Sequence, residues 1–120
     1  MLLSMTEPNP PVDLAHLARY TGGDSALNAE ILRLFSGQSE QLIGRLKLTL
    51  ESGDGRRWRE IAHSLKGAAR GIGAFDLADF AAAIEPIDPA ADKAKAHAAL
   101  HELSNRAQMV QWFIDQYVAG

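Results

Sequence analysis

The chain has 120 residues, no cysteine, and a formal net charge of −3 from 12 basic and 15 acidic side chains. The length suits one domain with one modest core. The lack of cysteine excludes disulfides, zinc–thiolate sites and thiol chemistry, and fits a reducing cytosol. The charge balance offers neither a basic face for nucleic acid nor a polybasic membrane anchor, and no apolar run approaches the roughly 20 residues of a membrane span. A cytoplasmic protein acting as a monomer is the expectation.

The opening "MLLSMTEPNPP" lacks the basic start and long apolar run of a signal peptide. Its three prolines and polar neighbours predict a loose tail over 1–11, with the domain over 12–120. The Met1 start and this tail favour a stand-alone protein. "VDLAHLARY" reads as a short amphipathic helix capped by Asp13 and stopped at "TGGD". His16 falls at its polar edge.

A long helix is predicted from Asp24 or Ser25. Its inward stripe reads Leu27, Ile31, Leu34, Phe35, Gln38, Leu42, Leu46 and Thr49, ending at "ESGDG". Gly37 and Gly44 each lower its propensity by roughly 1 kcal/mol relative to Ala, which leaves room for a kink near Gly37. A third helix runs from about Asp54 to Gly71, and "GIGA" interrupts it. A fourth spans Phe75–Glu85 with Leu77, Phe80, Ala81 and Ile84 inward. "PIDP" is a loop. The last helix runs from about Ala91 to Tyr117, with Ala96, Leu100, Leu103, Ala107, Val110, Ile114 and Tyr117 inward. No strand-like alternation is present. The fold class is therefore all-α: an antiparallel up-down four-helix bundle with a short extra N-terminal helix as a lid.

The third helix carries a second message. At about 100° per residue, Trp58, Ile61, Ala62, Leu65, Ala69 and Ile72 share the core side. His63, Lys66, Gly67 and Arg70 share the far side, with Arg59 one turn earlier. Basic neighbours favour a neutral, nucleophilic imidazole. Helix side chains lean N-terminally, which brings the Lys66 ammonium over His63. Gly67 costs helix stability where Ala would serve, so a missing side chain must be useful. Phosphoryl transfer needs these features: an imidazole that attacks phosphorus, a cation for the added charge, and clearance for an in-line donor.

"AHSLKGAARGIGA", with Ala62, His63, Ser64, Leu65, Lys66, Gly67, Gly73 and Ala74 at their places and a following helix ending in "IE", resembles the histidine phosphotransfer (HPt) domain of bacterial phosphorelays. The likeness extends over roughly 13–117. It implies a four-helix bundle with His63 as phosphoacceptor, Lys66 as the phosphate-side cation and Gly67 as clearance. Its partners would be receiver domains of response regulators or hybrid histidine kinases. The receiver would supply magnesium and the acidic cluster, so the chain needs no cofactor of its own. Ala68 stands where many members have serine, and Arg70 is not a fixed feature. No kinase domain or phosphate-binding glycine loop is present, so autophosphorylation is not expected.

The docking surface is expected around His63, with Arg59, Ser64 and Arg70 on its own helix and Leu32, Ser36, Ser39 and Ile43 on the second. A non-catalytic adaptor that binds a receiver or kinase is the alternative. His97 and His101, four apart, have metal-ligand spacing without an evident third ligand, and no metal site is assigned. Trp58 reads as core. Trp112 lies off the inward row, to pack against the tail or contact a partner.

Overall fold

The computed structural model describes residues 10–120, so the tail over 1–9 lies outside the described residues. Within them are five helices and no strand: α1 (Leu14–Thr21), α2 (Ser25–Ser52), α3 (Gly55–Gly71), α4 (Phe75–Ile84) and α5 (Lys93–Ala119). None is long and apolar enough to cross a membrane.

Short side chains set the helix starts. Asp13, Asp24, Asp54 and Asp92 each accept hydrogen bonds from first-turn backbone N–H groups, satisfying donors that an isolated helix start leaves open. Gly22 and Gly53 end α1 and α2 in the left-handed conformation.

α2 packs between α3 and α5, and α4 closes the ring between the same two helices. Cross-helix contacts fix the antiparallel order. Asn28 at the start of α2 donates to the Tyr117 hydroxyl at the end of α5 (3.1 Å). Arg106 on α5 reaches Asp76 at the start of α4 (2.8 Å). α4 has only 10 residues against 28 in α2 and 27 in α5. α1 lies at the end that this short helix leaves open. Buried Val12 and Leu17 plug it, and His16 packs edge-on between Tyr20 and Phe75, tying α1 to α4.

The core follows the expected rows on α3 and nearly so on α4 and α5. Ala78 replaces Phe80 on the inward row of α4, and Phe80 lies under the Arg106 guanidinium at 4.5 Å. Ala107 and Tyr117 are only partly buried against the core.

α2 departs further. Its buried positions are Asn28, Leu32, Phe35, Ser39, Leu42, Leu46, Thr49 and Leu50. Leu27, Leu34 and Gln38, expected inward, are exposed. The true stripe is rotated from the expected one because leucines occupy both faces and the buried face admits self-satisfied polar groups. Asn28 accepts from the Thr21 hydroxyl (2.6 Å) while donating to Tyr117. The Thr49 hydroxyl donates to the Leu46 carbonyl (2.9 Å). α2 runs unbroken through Gly37 and Gly44.

Two contacts hold α3 and α4 in register. The Trp58 indole N–H, fully buried, donates to the Ile84 carbonyl at 2.8 Å. At the other end, "GIGA" forms a Schellman stop. The Ala74 N–H donates to the Ala69 carbonyl (2.9 Å) and the Gly73 N–H to the Arg70 carbonyl (3.1 Å). Gly73 has φ +85°, and a Cβ there would lie 2.6 Å from the Asp13 carbonyl oxygen. The Gly73 carbonyl in turn accepts from the Asp13 N–H (2.9 Å). This glycine is demanded by the fold twice over, by its dihedral and by the approach of the lid.

Trp58→Phe removes the indole donor, leaves the Ile84 carbonyl with only its turn bond from the Ile87 N–H, and opens a void beside it. It should cost about 3 kcal/mol in urea unfolding; an unchanged midpoint would show that the hydrogen bond contributes nothing. Gly73→Ala should cost about 2 kcal/mol or more through strain and the clash with Asp13. A melting curve that matches the parent protein would contradict that reading.

Candidate functional site

The outward side of α3 is built by the same periodicity that buries its core side. With Trp58, Ile61, Ala62, Leu65 and Ala69 buried, the residues between them must face away. Arg59, His63, Ser64, Gly67 and Arg70 are all exposed, as the sequence predicts, and the His63 side chain is 65% accessible. An ideal Cβ on Gly67 meets nothing within 4 Å. No packing among the described residues requires a glycine there, in contrast to Gly73.

The surroundings of His63 differ from the expectation in one residue. Glu85, the residue that caps α4, places Oε1 3.5 Å from His63 Nδ1 and Oε2 3.1 Å from Lys66 Nζ. Lys66 thus directs its ammonium at this carboxylate, where the sequence had it leaning over the imidazole. Both partners are largely covered, with side chains 23% and 19% accessible. The environment of His63 is therefore mixed in charge, not purely basic. Since Nδ1 faces Glu85, the other ring nitrogen, Nε2, is the one left for chemistry.

Sequence reasoning assigned Glu85 no role. The signal was present in the antiparallel α3–α4 pair. Residues at roughly similar distances on either side of the Gly73–Ala74 turn come near each other, as Arg70 and Asp79 do (3.3 Å), and this pairing brings Glu85 within reach of His63. The Asp79 contact also accounts for Arg70, which reaches across to α4. Farther up α3, Arg56 pairs with Glu60 (3.4 Å) and Arg57 with Asp54 (3.9 Å). Arg59 makes no ion pair among the described residues, so it stands as a free cation one turn before His63.

The expected α2 contribution needs correction. Leu32 and Ser39 are buried and cannot meet a partner. Ser36 lines a groove with Gln111, Ile114 and Asp115 of α5, so that flank of α2 turns to α5 and away from α3. Ile43, seven residues on and partly buried, shares the flank. The outer face of α2 carries Leu34, Gln41 and Leu48 at seven-residue spacing, all exposed. The leucines are 69% and 66% accessible.

The remaining histidines and Trp112 are apart from this site. His97 and His101 line a groove between α2 and α5 with Lys47, Glu51 and Lys93. Among the described residues, no three His, Asp or Glu side chains converge as metal ligands. Trp112 is 63% exposed on α5; the tail it was expected to pack against is outside the described residues.

The architecture is similar to a known one. The crystal structure of histidine-containing phosphotransfer protein B (HptB) from Pseudomonas aeruginosa PAO1 superposes with a TM-score of 0.82. The match has 24% identity and covers 93% of this chain and 97% of that one. No curated protein matches by sequence. The family model for the Hpt domain matches residues 30–112, well over half of the chain, spanning His63, Lys66, Gly67 and Glu85. The chain belongs to the Hpt domain family.

Proposed function

We propose that this protein is a phosphoryl carrier of a two-component phosphorelay, with His63 as the residue that holds the phosphoryl group. The observation that carries this is the exposed His63 imidazole, with Nδ1 turned to Glu85 so that Nε2 is free, and an open glycine, Gly67, one turn on.

The chemistry follows from that geometry. A receiver domain carrying an aspartyl phosphate docks over α3. His63 Nε2 attacks phosphorus in line with the departing carboxylate oxygen. The P–O bond breaks as the N–P bond forms, and the aspartate leaves as a carboxylate. The proton on Nδ1 stays in place, facing the Glu85 carboxylate, which orients the ring and supports the positive charge the ring acquires. Transfer to a second receiver is the reverse of these steps. Magnesium and the acidic cluster belong to the receiver, so the carrier supplies a nucleophile and a surface and is not an autonomous kinase.

The docking face combines exposed α3 with the exposed outer face of α2. Leu34 and Leu48 supply apolar contact, and Arg59 supplies a cation to the rim. A monomer keeps this face open.

Incubation with a receiver domain charged from labelled acetyl phosphate should move label onto the parent protein and not onto His63→Gln. Equal labelling of both proteins would refute His63 as the acceptor. Gly67 separates docking from folding. Gly67→Ala should fold and gain about 1 kcal/mol from helix propensity. Gly67→Phe should keep its circular dichroism but slow transfer from the receiver by roughly tenfold or more, because the ring occupies the donor's approach. Transfer by Gly67→Phe at the parent rate would remove the clearance role.

A further inference from the structure

The carboxylate that touches His63 also holds the Lys66 ammonium. We propose that Glu85 sets how long the phosphoryl group stays on His63, by competing with that group for the Lys66 ammonium. This rests on the reading of His63 as phosphoacceptor and adds a control on the lifetime of the phosphorylated state.

The geometry of a shared cation carries the argument. One carboxylate spans both residues, Oε1 toward His63 Nδ1 at 3.5 Å and Oε2 toward Lys66 Nζ at 3.1 Å. Lys66 lies one turn beyond His63 on the same side of α3, within reach of a group on the imidazole. Its ammonium has several donors but one charge. While Glu85 neutralises it, little of that charge serves a phosphoryl group on Nε2. The Lys66 and Glu85 side chains are about four-fifths covered, so their attraction is less screened than that of an open surface pair.

The other nearby cations do not replace Lys66. Arg70 is engaged with Asp79 at 3.3 Å. Arg59 is exposed, one turn away on the other side. The carrier is thus built with its phosphate-side cation half spent. That arrangement keeps the N–P bond labile, as a molecule that must hand the group on requires.

Glu85 acts here as a positioning residue, through Lys66, and its effect is read on the loss of phosphate. In hydrolysis a water oxygen attacks phosphorus and the N–P bond breaks. The electron pair returns to Nε2, the water protons go to phosphate and solvent, and inorganic phosphate leaves. Glu85→Gln keeps the shape and an acceptor for the Nδ1–H but removes the charge that holds Lys66. It also removes the carboxylate's support of the charged ring, an opposite effect that does not depend on Lys66. A double-mutant cycle with Lys66→Met separates the two.

The full chain and the Glu85→Gln, Lys66→Met and double variants are each charged with phosphoramidate. After removal of the donor, phosphohistidine decay is followed by phosphorus NMR, with His63→Gln as the blank and circular dichroism as the check on folding. The ratio of the Glu85→Gln lifetime to the Glu85 lifetime should be roughly fivefold larger with Lys66 present than with Met there. Equal ratios in the two backgrounds, or a larger ratio with Met, would overturn the competition while leaving His63 as acceptor intact. A parent protein that takes label neither from phosphoramidate nor from a charged receiver would overturn both.

Discussion

The hydrogen bond from the Trp58 indole to the Ile84 carbonyl, at 2.8 Å in the bundle core, is the constraint on which the site depends. It is a bond between the first half of α3 and the last residue of α4. The carbonyl at this helix end accepts a turn bond from the Ile87 N–H (3.1 Å), and the indole N–H adds a second, buried donor from α3. The consequence reaches one residue further. Glu85 follows Ile84 directly, so fixing that carbonyl fixes where the carboxylate emerges. It emerges between His63 and Lys66. The largest core side chain thus helps set the charge environment of the exposed His63 through Ile84 and Glu85.

The two ends of α3 divide the work. At its C-terminus the Schellman stop at Gly73–Ala74 reverses the chain tightly and lets the Asp13 backbone approach. That contact seats the lid, and the lid closes the end that α4 is too short to cover. Nearer the middle of the helix, Gly67 has helical geometry and open space around it. One glycine is needed because the chain comes close; the other, on the proposed reading, leaves room for another molecule. The same residue type thus occurs six residues apart in a close approach and in open space, and the distinction lies in what a Cβ would meet.

What could be read from the sequence divides along similar lines. The five helices, the Asp13 cap and the α3 core row were legible because each depends on residues within one or two turns. His63, Arg59, Gly67 and Arg70 came out on the exposed side for the same reason. α2 failed because its hydrophobicity is nearly two-sided. Leu27 and Leu34 outside balance Leu32 and Leu50 inside, while Asn28 and Thr49 are buried with their polar groups already satisfied. Periodicity alone weights the wrong face in such a helix. Glu85 was missed because its role exists only across the turn, in the pairing of α3 with α4. The motif drew attention to the end of α4 without saying what that residue touches.

The charge count around His63 closes the physical argument. A residue that stores a phosphoryl group permanently would be best served by uncommitted cations, since each unpaired positive charge deepens the well in which the phosphate sits. A carrier needs a shallower well, comparable with that of the aspartate on either side of it. The outward side of α3 offers arginines in number, yet most are spent on carboxylates of their own chain: Arg56 on Glu60, Arg57 on Asp54, Arg70 on Asp79. Lys66, adjacent to the imidazole, is spent on Glu85. Only Arg59 among these is without an ion pair among the described residues, and on the proposed reading it stands at the rim of the docking face, open to an acidic partner surface. The distribution separates two uses of positive charge, one to recruit a partner and one to hold the group transferred, and it weights the first.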